Sequence, residues 1–125
     1  MRRVVITGAG AISALGHDWP TISNSLRALR SRVRAIPNWE NIEGLNTRLG
    51  APMEDFETPA SYPRKKLRSR GRVSTMAVRA TEKALAQAGL LESAALTNGA
   101  TGVSYGSCMG TPEDARALVK VLSDN

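Results

Sequence analysis

The sequence predicts an α/β fold on three observations. Val4, Val5 and Ile6 form an apolar run with no polar alternation, the pattern of a strand buried on both faces. Gly8-Ala9-Gly10 then gives a sharp turn, with a helix expected a few residues on. The order repeats downstream. Thr101-Gly102-Val103-Ser104-Tyr105 reads as a second strand, Gly106-Ser107-Cys108-Met109-Gly110 as a second glycine-flanked turn, and Thr111-Pro112-Glu113-Asp114 as the start of another helix.

The first turn is close to a dinucleotide fingerprint and fails it twice. That motif needs a third glycine so that the helix can pack on the strand; Ser13 stands there instead. It also needs an acid roughly 20 residues further on to hold a ribose. Between Trp19 and Trp39 there is no acid, and Arg27, Arg30, Arg32 and Arg34 occupy the stretch. No cofactor is expected from this turn. No Walker-type loop and no histidine pair point to nucleotide phosphate or metal.

The first helix should begin at Asp18, a cap followed by Pro20 in the first turn. Trp19, Ile22, Leu26 and Leu29 recur at helical spacing. His17 precedes the cap and reads as a solvated loop residue. From Arg30 to Pro63 the periodicity dissolves, broken by Pro37, Pro52, Pro59 and Pro63 with Gly44 and Gly50. Trp39, Leu45, Leu49, Met53, Phe56 and Tyr62 are its anchors, with a short strand expected near Arg48 to Met53. The stretch is either a packed surface excursion or a loop that shapes a pocket or interface.

Arg64, Lys65, Lys66, Arg68, Arg70 and Arg72 follow, with no acid between Glu57 and Glu82. The run reads equally as a solvated face or as a surface for an acidic partner. It leads into a helix in which Val73, Met76, Ala77, Ala80, Ala84 and Ala88 recur at three and four. The small residues should let this helix sit close to a neighbour. Gly89 and Leu90 predict a Schellman stop, with Leu90 reaching Leu85. In the last helix Thr111 is the expected cap, with an acid at N3 resembling a capping box.

The composition narrows the function classes. The chain of 125 residues has room for one modest core, and 42% hydrophobic with 22% charged residues is ordinary for a soluble protein. No apolar run is long enough to span a bilayer, and a single cysteine cannot form an internal disulfide, so the cytoplasm is the expected compartment. The net charge of +6 asks for an acidic partner. Nucleic acid is disfavoured, because no aromatic falls among the cations of Arg64 to Arg72 to stack on bases. Cys108 follows a strand near a helix start, and His17 also follows a strand. Parallel strands would bring both to one sheet edge. That allows a Cys–His dyad, but a lone cysteine is more simply a packed one.

Val4-Val5-Ile6-Thr7-Gly8-x-Gly10-x-Ile12-Ser13-x-Leu15-Gly16 resembles the amino-terminal signature of the β-ketoacyl-acyl carrier protein synthases, the condensing enzymes of fatty acid and polyketide synthesis. Pro63 to Leu90 resembles their basic patch and following helix, ending in Ala88-Gly89-Leu90. Gly102-Val103 to Gly110 resembles the next strand and its glycine-rich turn. Gly44-Leu45-Asn46-Thr47-Arg48-Leu49 is similar to a subgroup associated with aryl polyene pigments.

The resemblance implies a partial thiolase-like fold, part of the first α/β half of a five-layer αβαβα architecture, in an enzyme that works as a homodimer. It implies a decarboxylative Claisen condensation of an acyl group on an enzyme cysteine with malonyl-acyl carrier protein. The family's nucleophile lies in a Ser-x-Ala-Cys-Ala-type motif with two histidines, and none of these is in this sequence. Residues 1–125 are thus expected to be the amino-terminal portion of a ketosynthase N-terminal domain, incomplete at the carboxyl end and inactive alone. Lys65 and Arg68 match cations that dock the acidic acyl carrier protein. Met109 matches a position where side-chain size limits the acyl pocket at the dimer interface. Cys108 stands where common members have glycine. The competing reading is a non-catalytic basic α/β module that docks an acidic protein or nucleic acid.

Overall fold

The computed structural model describes residues 3–124. They form two units, Met1–Gly10 with Glu57–Asn125, and Ala11–Phe56. Among the described residues the helices are α1 (Trp19–Arg27), α2 (Arg64–Leu67), α3 (Arg72–Gln87) and α4 (Pro112–Ser123). The strands are β1 (Arg34–Ala35) and β2 (Leu49–Gly50).

In the unit of Ala11–Phe56, Ser13 explains why the third motif glycine is missing. Its N–H donates to the Gly16 carbonyl at 2.9 Å, and the Gly16 N–H donates back to the Ser13 carbonyl at 3.0 Å. The Ser13 hydroxyl accepts from the Leu15 N–H at 3.2 Å. The segment is a closed tight turn, not the start of a phosphate-cradling helix. The helix comes later, at Asp18, whose Oδ1 accepts the Thr21 N–H at 2.8 Å, as the cap and Pro20 predict. Only Ile22 of the α1 stripe is buried; Trp19, Leu26 and Leu29 are exposed.

The irregular middle holds a small ladder. Arg34 pairs with Gly50 and Ala35 with Leu49, antiparallel. The short strand expected near Arg48 to Met53 is therefore present as β2. A Cβ on Gly50 would sit 3.2 Å from the Trp39 ring and 3.3 Å from Ile36 Cγ1, so the strand packs beneath Trp39. Phe56 is the deepest anchor, 6% exposed. His17 is not the solvated residue expected. It is half-buried, with its ring edge-on to Phe56 at 6.1 Å and 71°.

In the unit of Met1–Gly10 with Glu57–Asn125, α3 is the principal element. Its start is fixed at Gly71, whose carbonyl accepts both the Thr75 N–H and the Thr75 hydroxyl at 3.1 Å. Thr75 is buried. Its end is the expected Schellman motif. Gly89 has φ +70, its N–H donates to the Ala86 carbonyl at 3.1 Å, and the Leu90 N–H donates to the Leu85 carbonyl at 2.8 Å. α4 starts at Thr111 and Pro112 as expected, but the Thr111 side chain makes no capping bond. The Asp114 side chain, expected at N3, lies outside what the structure describes.

Gly8 and Gly10 are glycines for a reason the sequence did not disclose. Neither has a positive φ. A Cβ on Gly8 would run into the Ala84 carbonyl oxygen, and one on Gly10 into the Ala80 carbonyl oxygen. The opening segment thus lies directly on the backbone of α3, along the face whose side chains are Ala80, Ala84 and Ala88. The Ala9 N–H donates to Gln87 Oε1 at 2.6 Å and fastens the contact.

The two expected core strands are not paired. Among the described residues the only ladder of named strands is β1–β2, and Val4–Ile6 and Thr101–Tyr105 run outside it. Val4, Ile6 and Val103 are each more than nine-tenths exposed. An apolar run shows which residues need cover. Strand geometry also needs a hydrogen-bonding neighbour, and no other described segment supplies one.

The glycine contact yields a direct test. Gly10→Ala places a methyl against helix backbone, which cannot rotate away. In the full-length protein we predict a loss of about 1–3 kcal/mol, the usual cost of overpacking. Denaturant unfolding measures it; an unchanged midpoint would contradict the close approach.

Candidate functional site

The run from Arg64 to Arg72 is the denser of two basic clusters in the sequence, the other spanning Arg27 to Arg34. α2 is only four residues long, and such a helix has no stability of its own. Its backbone bonds are all within residues 63–70. The Pro63 carbonyl accepts the Lys66 N–H at 2.9 Å and the Leu67 N–H at 3.2 Å, and the Arg64 carbonyl accepts the Arg68 N–H at 3.2 Å. Arg70 N–H then turns back to the Leu67 carbonyl at 3.1 Å. Lys65 and Arg68, one turn apart, share a face. Both are exposed, and neither takes part in an ion pair among the described residues. Cations at a helix C-terminus also suit its dipole.

Beside this run lies a polar cluster that sequence reading missed. The Tyr62 hydroxyl donates to Glu82 Oε2 at 2.6 Å, and Arg79 Nη1 donates to the same oxygen at 3.1 Å. Burial, then the bond to Glu82 and its charge, push the Tyr62 hydroxyl up from 10.0 to about 12, against smaller lowering effects of Arg79 and Arg70. One signal was available. Glu82 is the acid that ends the acid-free stretch, and it sits at i+3 from Arg79 on α3.

The remaining candidate residues are less built. Met109 lies in the turn before α4 and is 81% exposed. Cys108 is a free, exposed thiol. The Gly110 N–H donates to the Ser107 hydroxyl at 3.0 Å, which closes the turn. His17 Nε2 is shielded from solvent and lies 3.5 Å from Asp55 Oδ1 without a hydrogen bond.

Two cavities lie elsewhere. One, of about 360 Å³, is bounded by Arg32, Arg34, Glu54 and Asp55, with Arg34 paired to Glu54. The other, of about 450 Å³, runs along α3 between Val78, Leu85, Val103 and Tyr105. Neither includes Lys65, Arg68, Cys108 or Met109. No group of three or more metal-ligating side chains occurs among the described residues.

A family model described as β-ketoacyl synthase, N-terminal domain, matches residues 1–124, and the chain belongs to this family. A crystal structure of a β-ketoacyl synthase from Burkholderia phymatum STM815 shares 50% identity with a TM-score of 0.88, covering 98% of this chain and 30% of that one. The fold is accordingly α/β and partial thiolase-like. Nodulation protein E of Rhizobium meliloti (strain 1021) is 39% identical over 121 residues, 94% of this chain and 30% of that protein. The 3-oxoacyl-[acyl-carrier-protein] synthase 1 of Escherichia coli (strain K12) is 30% identical over 112 residues, 90% of this chain and 27% of that protein. The chain thus spans somewhat under a third of the length of these relatives. No helix among the described residues is long and apolar enough to cross a membrane.

The raised Tyr62 value fixes a pH window. The protonated hydroxyl contributes fully below the ordinary tyrosine range near 10, and its contribution is lost as pH rises through about 12. Tyrosinate absorbance of the full-length protein, compared with Tyr62→Phe, should show a step near 12 that the variant lacks. A parent-minus-variant difference that steps at the ordinary tyrosine value would contradict the Glu82 bond.

Proposed function

We propose that this chain is the carrier-docking part of a 3-oxoacyl-acyl carrier protein synthase. The reaction is decarboxylative Claisen condensation. Malonyl-acyl carrier protein loses CO₂, and its α-carbon forms a C–C bond with the acyl thioester carbonyl. The thioester C–S bond breaks, and its sulfur leaves as thiolate. The products serve fatty acid, polyketide or aryl polyene synthesis. Family membership supports the reaction class. The observation that carries the docking role is the exposure of Lys65 and Arg68 in a stretch without acids, neither of them in an ion pair among the described residues.

Residues 1–125 alone should not catalyse it. They hold one histidine and one cysteine, and Cys108 stands outside any Ser-x-Ala-Cys-Ala-type motif. The enzyme works as a soluble cytoplasmic homodimer, and its partner is acidic acyl carrier protein. Opposed surface fields speed encounter and orient the acyl arm.

Docking by charge has a measurable signature. Exposed charge contacts contribute only about 0–1 kcal/mol each, but reversal adds repulsion. Lys65→Glu with Arg68→Glu should cost roughly 2–3 kcal/mol in kcat/KM at low salt with a carrier-linked substrate, or tens to a hundred-fold. A small acyl thioester should be unaffected, and salt should shrink the gap, since screening acts over about 10 Å at 0.1 M. Equal losses on both substrates would remove the docking role.

Met109 is proposed to border the acyl pocket of the dimer. A methionine fills volume yet bends more easily than a β-branched residue. In the full-length enzyme Met109→Gly should admit longer acyl chains and Met109→Phe should shorten the accepted range. Identical acyl-length profiles would place the residue elsewhere.

A further inference from the structure

We propose that Tyr62 is a positioning residue that holds the docking cations in register by tying the entry of α2 to Glu82 on α3. The inference rests on the docking role of Lys65 and Arg68 and adds the device that presents them.

A four-residue helix cannot hold its own direction, so its orientation comes from its two ends. The exit of α2 runs through Arg70 into Gly71, the N-cap of α3, where both donors of Thr75 meet the Gly71 carbonyl. The entry runs through Tyr62 and Pro63. Tyr62 N–H turns back to the Pro59 carbonyl at 3.0 Å, which closes a local turn and fixes nothing to α3. The attachment to α3 is the side-chain bond from Tyr62 to Glu82 Oε2, at 2.6 Å. At 1.5 Å per residue, Glu82 lies roughly 16 Å along α3 from Gly71. Two widely spaced attachments fix the direction of the segment between them; one would leave it free to pivot. Pro63 adds stiffness on the entry side, with φ −61 and ψ 132.

The chemistry of the bond suits a bond that holds a loop. A phenol donating to a carboxylate is charge-assisted and short. Arg79 shares the same carboxylate oxygen and keeps Glu82 in place. Removing the hydroxyl therefore leaves Glu82 still paired, so Tyr62→Phe should keep the fold while freeing the entry of α2.

The test compares four forms of the full-length protein: parent, Tyr62→Phe, Lys65→Glu with Arg68→Glu, and the combination of all three substitutions. For Tyr62→Phe, KM for a carrier-linked acyl substrate should rise about three- to tenfold, with kcat and the small-thioester rate unchanged. Amide hydrogen exchange at residues 64–68 should quicken, with α3 beyond Thr81 unaffected. Adding Tyr62→Phe to the charge-reversed form should cost nothing further, because the tyrosine acts through those cations. Unchanged exchange at 64–68, an unchanged KM while charge reversal does raise it, or equal losses on both substrates would each overturn the proposal. If charge reversal itself has no carrier-selective effect, the docking reading fails. Exchange at 64–68 then still decides whether Tyr62 orders α2.

Discussion

The close contact of Gly8 and Gly10 with the backbone of α3 is the constraint on which the rest of its unit depends. Side chains on either partner would hold the two backbones apart. Glycine on one side and Ala80, Ala84 and Ala88 on the other remove that spacing. Dispersion attraction is strong only at short range, so this pairing brings many atoms within reach without large side chains. The unit needs such a device, because the described residues with buried apolar side chains, Ile22 and Phe56, both belong to Ala11–Phe56.

Once α3 is placed, it organises what lies on either side. Its first residue, Arg72, is the last cation of the basic run, and its middle offers Glu82 to Tyr62. Its C-terminus closes in the Gly89–Leu90 stop. Charge and architecture are thus linked. The cations sit on an element too short to order itself, and the Tyr62 bond to Glu82 ties its entry to the neighbouring helix. Under the proposed docking role, an acidic partner meets a defined pattern of positive charge, not a mobile tail, which lowers the ordering cost of association.

Helix boundaries were legible because their signals are local. Asp18 with Pro20, the alanine spacing of α3, and Gly89 with Leu90 each act within a few residues. The strands were less legible. Val4–Ile6 and Thr101–Tyr105 have strand composition, but a ladder is made by a partner distant in sequence, and none pairs with them among the described residues. Gly8 and Gly10 were read as turn residues. Their real demand is the approach of a helix about 70 positions away, which no local pattern encodes. Lys65 and Arg68 stood out through the missing acids, whereas Tyr62 and Glu82 are twenty residues apart and meet only after α3 forms.

The central proposal is that this chain belongs to an enzyme that condenses carrier-bound acyl groups. The most direct measurement supplies the full-length protein with an acyl thioester and malonyl-acyl carrier protein, and follows products by mass spectrometry. The account predicts a 3-oxoacyl-acyl carrier protein whose acyl chain has gained two carbons, with one CO₂ released for each new C–C bond. Free malonyl-acyl carrier protein and unreacted acyl donor at the end, across a range of acyl lengths and with the protein folded, would contradict it.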